Sequence, residues 1–419
     1  MDIKLEPALL TGSVLAPPSK SAAHRLLIAA ALADKPTELI LPVESEDTRA
    51  TRECLQALGA IFSRKENILQ IIPLAGGDSL ADLDCGESGS TLRFLLPLAA
   101  TLERPVLFRG RGRLPERPLS PFREELQTHG CQFSAEKLPF TLSGSLQPGN
   151  FSLPGNISSQ FISGLLFALP RLPGDSTITL TTALESSGYV DLTLEILQQF
   201  RIAIAQEGQQ FRIPGGQKYR SPGKISVEGD WSNAAFFLAA GALSASVDCR
   251  GLKADSRQGD RRMLQELRRF GAVLEQQGDT VLVMPGHLTA CDIDMGEIPD
   301  LLPILALVAS LAKGSSVLYN AARLRLKESD RLTAVKNMLL ALGGKADETS
   351  DSLIVHGQEQ LQGGTVDSFN DHRIVMAAAI AACRCRKPVC IRNAQAVQKS
   401  YPDFFSVYSI LGGKNSDGI

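Results

Sequence analysis

Two textures alternate along the 419 residues. The first is an apolar run of helical length: "SAAHRLLIAAAL", "GSTLRFLLPLAA", "SSQFISGLLFAL", "SNAAFFLAAGAL", "DLLPILALVASL" and "HRIVMAAAIAA". Their entrances at Ser21, Ser90, Ser159, Ser232, Asp300 and His372 are 69, 69, 73, 68 and 72 residues apart. The second is a helix that stops at a glycine or its equivalent and passes into an alternating strand, as in "LQALGAIFS", "LQTHGCQFS", "LQQFRIAIA", "LRRFGAVLE" and "LLALGGKAD". The stopping positions Gly59, Gly130, Arg201, Gly271, Gly343 and Gly412 step by 71, 71, 70, 72 and 69. Two independent signals with one period are the mark of an internal repeat.

Each copy holds two helical patterns and several short strands rich in Val, Ile and Leu, which predicts an α/β fold built from six copies of one motif. The sixth copy is expected to end at its second helix, with its missing strand supplied from "MDIKLEP" and "TGSVLAP" at the N-terminus. The two ends of the chain then share one domain, and the chain crosses between domains twice. The second helices enter through "ESEDTRATREC", "RPLSPFREEL", "SGYVDLTLEI", "RQGDRRMLQEL", "LKESDRLTAV" and "KSYPDFFSVY", with Ser329 or Asp330 as the N-cap of the fifth.

Composition narrows the function. The chain is 44% hydrophobic, 21% charged and only 5% aromatic, which suits a globular protein and argues against disorder or a stacking platform for single-stranded nucleic acid. A net charge of −2 supplies no global basic field, so no nucleic-acid or membrane partner is expected, and an anionic ligand must be met by local clusters. The N-terminus lacks the pattern of a signal or transit peptide. The most apolar stretch, "LLPILALVASLA", is shorter than the roughly 20 residues that span a bilayer and reads as a buried helix. Eight scattered cysteines without a secretory signal suit free thiols in a reducing cytoplasm. Their one cluster, "CRCRKPVC", lacks metal-ligand spacing, so no metal is expected.

Charge is misplaced at the helix entrances. A helix N-terminus carries unsatisfied N–H groups and a partial positive charge, where a cation typically costs about 0.3 to 1 kcal/mol. Yet Lys20 and Arg25, Arg93, Lys327 and Arg331, His372 and Arg373, and Lys399 stand there. Cations joined to free amides are what a phosphate or carboxylate requires. Each motif alone also has a plain structural reading: "PPSKSAAHR" as a capped helix, "GESGSTLR" as a tight turn, "RGRGRLPERP" as a mobile basic loop, "PGNISSQF" as simple capping. Asp300 in "EIPDLLPIL" reads either as an N-cap or as a general base. "NDHR" reads as a capped helix with a surface histidine or as part of a site. In "RLKESDRL", Lys327 and Arg331 share a face at a spacing of four, and Glu328 and Arg331 are neighbours at three. That arrangement is either a solvated pair or an acid held among anion-binding cations.

Seven segments, "PPSKSAAHR", "GESGSTLRF", "LPERPLSPF", "SSQFISGLL", "RLKESDRL", "NDHRIVMA" and "KSYPDFF", follow the order and spacing of the enolpyruvyl transferases. Within that family the chain resembles the branch that uses shikimate 3-phosphate. The resemblance implies an inside-out α/β barrel of two domains, each of three repeats: residues 19 to 228 as one, and 1 to 18 with 229 to 419 as the other. The two hinge crossings fall near 18 and 228, and the helix N-termini converge on an interdomain cleft. It implies transfer of the enolpyruvyl (1-carboxyvinyl) group of phosphoenolpyruvate to the 5-hydroxyl of shikimate 3-phosphate, with release of phosphate, in the shikimate pathway of aromatic amino acid biosynthesis. No cofactor is implied, and a cytoplasmic monomer is expected.

By the same resemblance, Lys20, Ser21, Arg25, Ser158, Ser159, Gln160, Ser186, Tyr189, Asp300 and Lys327 bind shikimate 3-phosphate. Lys20, Gly89, Arg117, Gln160, Arg331, His372, Arg373 and Lys399 bind phosphoenolpyruvate. Asp300 takes the hydroxyl proton, Glu328 protonates the methylene carbon, and Lys20 relays a proton or stabilises the leaving phosphate. Three positions depart from the family pattern: Glu87 stands where many members have Asn, Arg323 where some have Asn, and Phe94 where some have Pro. Gly89 is kept, which favours sensitivity to glyphosate, the phosphoenolpyruvate-competitive inhibitor. The branch acting on UDP-N-acetylglucosamine typically carries a Cys in a mobile loop, and "RGRGRLPERP" has none. A non-catalytic repeat module, or an enzyme related to RNA 3'-phosphate cyclases, would not need Asp300 and Glu328 among cations.

Overall fold

The computed structural model describes residues 1–75 and 80–415. The chain divides into two compact units, one contiguous over Lys20–Val227 and the other combining Met1–Ser19 with Glu228–Ile419. The described residues form six four-stranded sheets, three in each unit.

The second repeat shows how one copy is built. Strand Ala81–Asp84 runs into helix Gly89–Ala99, strand Val106–Arg109, helix Phe122–Thr128, then strands Cys131–Phe133 and Phe140–Gly144. The first two strands are parallel, pairing Ala81 with Val106, and need the helix as their crossover. The last two form an antiparallel hairpin on the same sheet. The other sheets repeat this order. The strand Gln210–Ile213, for example, alternates between facing the core and facing out.

The first helix of each repeat is apolar on all sides and lies inside. Of helix Trp231–Leu243, twelve residues are buried, and helices Leu302–Ala309 and His372–Ala381 are buried throughout. The sheets cover these helices, which inverts the usual order of sheet inside and helix outside. Close helix packing depends on small residues: a Cβ on Gly164 of helix Ser159–Ala168 would lie 2.4 Å from the Arg93 carbonyl of helix Gly89–Ala99. Each unit has its own apolar core, one around Trp231, Phe237 and Phe404, the other around Phe94, Phe161 and Phe167.

All six repeat stops adopt the left-handed backbone, with φ of 111° at Gly59, 96° at Gly130, 65° at Arg201, 105° at Gly271, 81° at Gly343 and 95° at Gly412. A residue in this conformation lets the chain leave a helix and turn back as a strand, which is why glycine recurs there.

The N-terminal segments are shared out differently from the sequence expectation. Ile3–Glu6 joins the sheet of the sixth repeat, pairing Ile3 with Ile391, but Gly12–Leu15 pairs in parallel with Val247–Arg250 in the fourth. The sixth repeat also keeps a strand after its own stop, because Lys414–Asn415 is just long enough to pair with Leu5 and Glu6. By the same logic Lys224–Ser226 completes the first repeat's sheet against Glu38–Ile40, residues of strand Thr37–Ile40.

Candidate active site

In the contiguous unit, the conspicuous cations sit on the starts of the buried helices. Lys20 begins helix Lys20–Ala31, and its Nζ lies 2.9 Å from Oδ2 of Asp47, on helix Glu46–Ala57. One turn on, Arg25 is 3% exposed. It donates from Nε to Thr193 at 2.7 Å, from Nη1 to the Ser21 carbonyl at 2.7 Å, and from Nη2 to the Tyr189 carbonyl at 2.9 Å. Burial pushes the Arg25 guanidinium down to about 9, because its bonded acceptors are neutral. The neighbouring His24 is buried, bonds Thr51 at 2.7 Å, and is held neutral by burial and by the positive charges of Lys20 and Arg25.

Ser88 caps helix Gly89–Ala99 by accepting from Thr91 N–H, and Ser158 caps Ser159–Ala168 by accepting from Gln160 N–H. Between these two helix starts Arg93 donates to Gln160 Oε1 at 2.9 Å, and Gln160 Nε2 donates to Ser90 at 2.9 Å. A Cβ on Gly89 would lie 2.5 Å from Arg93 Nη1 and 2.7 Å from Arg117 Nη1. Glycine at 89 therefore lets two guanidinium groups approach one helix N-terminus. Ser186, 2% exposed, stands at the N-cap position of helix Ser187–Gln199 without a side-chain capping bond, in the left-handed region at φ 55°, a strained conformation for a non-glycine residue.

In the other unit the charge is arranged around Arg331, which is 1% exposed. Its Nη1 meets Asp300 Oδ1 at 2.7 Å, its Nη2 meets Glu328 Oε2 at 2.7 Å, and its Nε meets Asp371 Oδ2 at 2.9 Å. Burial opposes the guanidinium charge most, yet Asp371, Glu328 and Asp300 together outweigh it and hold the group charged well above its ordinary range. Asp300 also accepts from Arg373 Nη2 at 3.0 Å, and Lys327 Nζ stands 3.8 Å away. Burial pushes Lys327 down to about 8, against the pull of Asp300 and with a further push from Arg331. Lys399 closes the 3-10 helix Ala394–Lys399 and donates to the Asn370 carbonyl at 2.7 Å.

The three carboxylates on Arg331 differ in access. The Asp371 side chain is 0% exposed, whereas those of Asp300 and Glu328 are 17% and 19% exposed. Asp371 accepts from Ser329 and caps helix His372–Ala381, so it is a structural anchor. Asp300 and Glu328 remain within reach of a bound molecule. Nearby, Asp260 accepts from Ser232, and burial together with the charge of Asp300 pushes its carboxyl up to about 6. Among the described residues no group of three or more His, Cys, Asp and Glu is placed to hold a metal ion.

Several sequence expectations are corrected here. Asp300 is no N-cap: it lies in the 3-10 helix Pro299–Leu301, which has no side-chain cap, and its carboxylate turns to Arg331 and Arg373 instead. His372 is buried at 1% exposure, because its helix is buried from the first turn. Lys327 and Arg331 do not share a helix face. Asp330 is the N-cap, so the helix begins at Arg331 and Lys327 precedes it in extended conformation. The pair of Glu328 with Arg331 does form, across the cap. Arg323 donates to the Gly296 carbonyl, and its charge bears on Lys327. Sequence reasoning missed Asp47 and Asp371, because an acid at a helix start is what the dipole alone explains.

The described residues include no helix long and apolar enough to cross a membrane. A family model described as "EPSP synthase (3-phosphoshikimate 1-carboxyvinyltransferase)" matches residues 5–408. A "3-phosphoshikimate 1-carboxyvinyltransferase" of Clostridium kluyveri is 42% identical over 98% of this chain and 97% of its own. One of Clostridium perfringens is 43% identical over 98% of each. Among solved structures, an EPSP synthase of Acinetobacter baumannii matches with a TM-score of 0.81 at 25% identity, covering 99% of both chains. The enolpyruvyl transferase NikO of Streptomyces tendae shares the fold, with a TM-score of 0.81 at 18% identity over 99% of this chain and 97% of its own.

Proposed function

Because the chain belongs to the EPSP synthase (3-phosphoshikimate 1-carboxyvinyltransferase) family, we propose that the two sets of side chains described above serve one reaction. In that reaction the 1-carboxyvinyl group of phosphoenolpyruvate passes to the 5-hydroxyl of shikimate 3-phosphate, and phosphate leaves. It is a step of the shikimate pathway to aromatic amino acids. Each substrate carries a phosphate and a carboxylate, and the cations at the helix starts match that demand.

The observation that carries the assignment of roles is the placement of Asp300 and Glu328 on one buried guanidinium, with Arg373 and Lys327 beside them. The chemistry needs two proton transfers. The attacking hydroxyl must lose a proton, and the methylene carbon of phosphoenolpyruvate must gain one so that its neighbour becomes electrophilic. Asp300 is the base and Glu328 the acid in this reading. Arg331 holds the two carboxylates in place, and its positive charge offsets part of their mutual repulsion. Lys20, paired with Asp47, relays a proton or stabilises the leaving phosphate.

Shikimate 3-phosphate is bound by Lys20, Ser21, Arg25, Ser158, Ser159, Gln160, Ser186, Tyr189, Asp300 and Lys327. Phosphoenolpyruvate is bound by Lys20, Gly89, Arg117, Gln160, Arg331, His372, Arg373 and Lys399. The buried cation Arg25, with only neutral bonded acceptors, supports the first set, and the open helix start at Gly89 supports the second. The working form is a monomer in the cytoplasm; the free cysteines support the compartment.

The test is phosphate release from phosphoenolpyruvate with either shikimate 3-phosphate or UDP-N-acetylglucosamine as acceptor. Turnover only with shikimate 3-phosphate is expected. Turnover with the sugar nucleotide alone, or with neither, would refute the reading. Light scattering on a sizing column tests the monomer.

A further inference from the structure

The turn at residues 86 to 89 and the loop after strand Val106–Arg109 are laced together at both ends. The parallel pairing of Asp84 with Arg109 continues past the strands, with Cys85 N–H on the Arg109 carbonyl at 2.9 Å and Arg111 N–H on the Gly86 carbonyl at 2.8 Å. Gly112 follows in the left-handed region at φ 59°. A Cβ there would lie 2.5 Å from Cδ and 2.6 Å from Oε2 of Glu87, so the Glu87 carboxyl group fills the space a side chain at 112 would need. The loop then tightens, with Leu114 N–H on the Arg111 carbonyl and Arg117 N–H on the Leu114 carbonyl, both at 3.2 Å. At its far end Arg117 Nη1 comes within 2.7 Å of the Cβ position of Gly89, two residues on from Glu87.

We infer that Glu87 is a positioning residue for Arg117: its side chain seats the loop under Gly112 and thereby sets where the Arg117 guanidinium stands over Gly89. A carboxylate at position 87 aimed at a substrate would repel phosphate and carboxylate alike, whereas turned under the loop it costs no substrate affinity. The exchange of Asn for Glu at this position then changes the packing of the turn, and the substrate contact is left to Arg117. The inference rests on the reading of Arg117 as a phosphoenolpyruvate ligand.

The test is steady-state phosphate release, each substrate varied with the other saturating, on the full chain and on Glu87→Asp, Glu87→Gln and Gly112→Ala. Glu87→Asp withdraws the carboxyl by one methylene while keeping its charge, and Gly112→Ala pushes the loop off its seat. Both are expected to raise KM for phosphoenolpyruvate about ten-fold, with kcat and KM for shikimate 3-phosphate within about two-fold of wild type. Glu87→Gln keeps the shape and should stay within about two-fold throughout. An unchanged KM for phosphoenolpyruvate in Glu87→Asp overturns the role of Glu87. So does an equal rise in both KM values, or a Glu87→Gln as impaired as Glu87→Asp. Should Gly112→Ala not fold, the Asp and Gln pair decides alone. Lack of turnover by the wild type is a different result, since it removes the functional reading itself.

Discussion

Arg331 and Asp300 meet at 2.7 Å from positions 31 residues apart, and the arginine is all but closed off from solvent. One guanidinium thus gathers carboxylates contributed by the fifth and sixth repeats. Removing it by Arg331→Ala leaves Asp300, Glu328 and Asp371 facing one another without their shared cation. Urea unfolding at neutral pH should show a loss of about 3 to 5 kcal/mol. A loss under about 1 kcal/mol would mean the cluster relaxes into water and is not the buried unit described. Asp300→Asn keeps the shape, and should instead lower kcat by about 10²- to 10⁴-fold.

Lys327 provides a test in pH. Its ammonium titrates at about 8, inside the range where an ordinary lysine stays charged. If it binds shikimate 3-phosphate as a cation, kcat/KM for that substrate should fall as pH rises through about 8, and Lys327→Arg should move the fall to higher pH. The stability linkage has the opposite sense. The folded value lies below the ordinary one, so between the two the unfolded chain binds more protons, and this group alone makes stability rise with pH across that window. A pH limb that does not move in Lys327→Arg would take Lys327 out of shikimate 3-phosphate binding.

Gly89→Ala should separate binding from stability. The added Cβ would meet the tips of Arg93 and Arg117, and flexible side-chain ends can move aside. Melting temperature should therefore change little, while KM for phosphoenolpyruvate rises by about ten-fold or more and KM for shikimate 3-phosphate holds. Calorimetry and two-substrate kinetics on one preparation distinguish this from a general folding defect.

The repeat stops predict a contrast between two positions. At Gly271 a Cβ would lie 2.5 Å from the His287 carbonyl, a backbone atom that cannot swing away, and the residue is left-handed as well. Gly271→Ala should destabilise by about 1 to 3 kcal/mol. Arg201 already carries a Cβ in the left-handed region, so Arg201→Gly relieves strain while loosening the unfolded chain. Its change in unfolding free energy should stay within about 1 kcal/mol. A large loss in Arg201→Gly would show that the Arg201 side chain does more than occupy the turn.

The repeat was legible because its two markers have local causes. A left-handed stop calls for glycine, and a helix buried on all sides calls for an unbroken apolar run, so both leave a trace at one place in the sequence. The anomaly of cations at helix starts was legible for the same reason. What Asp300 does was not, because Arg331 and Arg373 reach it from 31 and 73 residues away. The spacing rule for Lys327 and Arg331 misled because it assumes a helix through both, and a single cap at Asp330 is enough to break it. Asp47 and Asp371 were hidden by ordinary roles that they also fill, as first-turn acid and as cap.

The strand Ile3–Glu6 pairs with Val389, Cys390 and Ile391 and with Lys414 and Asn415. During synthesis this strand must therefore wait until residues almost 400 positions further on have been made before its sheet can close. The contiguous unit has no such wait beyond Lys224–Ser226, which completes its first sheet. Residues 20–227 can therefore complete their sheets before strand Ile3–Glu6 meets its partners, and that strand stays unpaired in the meantime. Protease digestion of ribosome-stalled chains of increasing length would reveal that order, as early protection of residues 20–227 and late protection of the N-terminus.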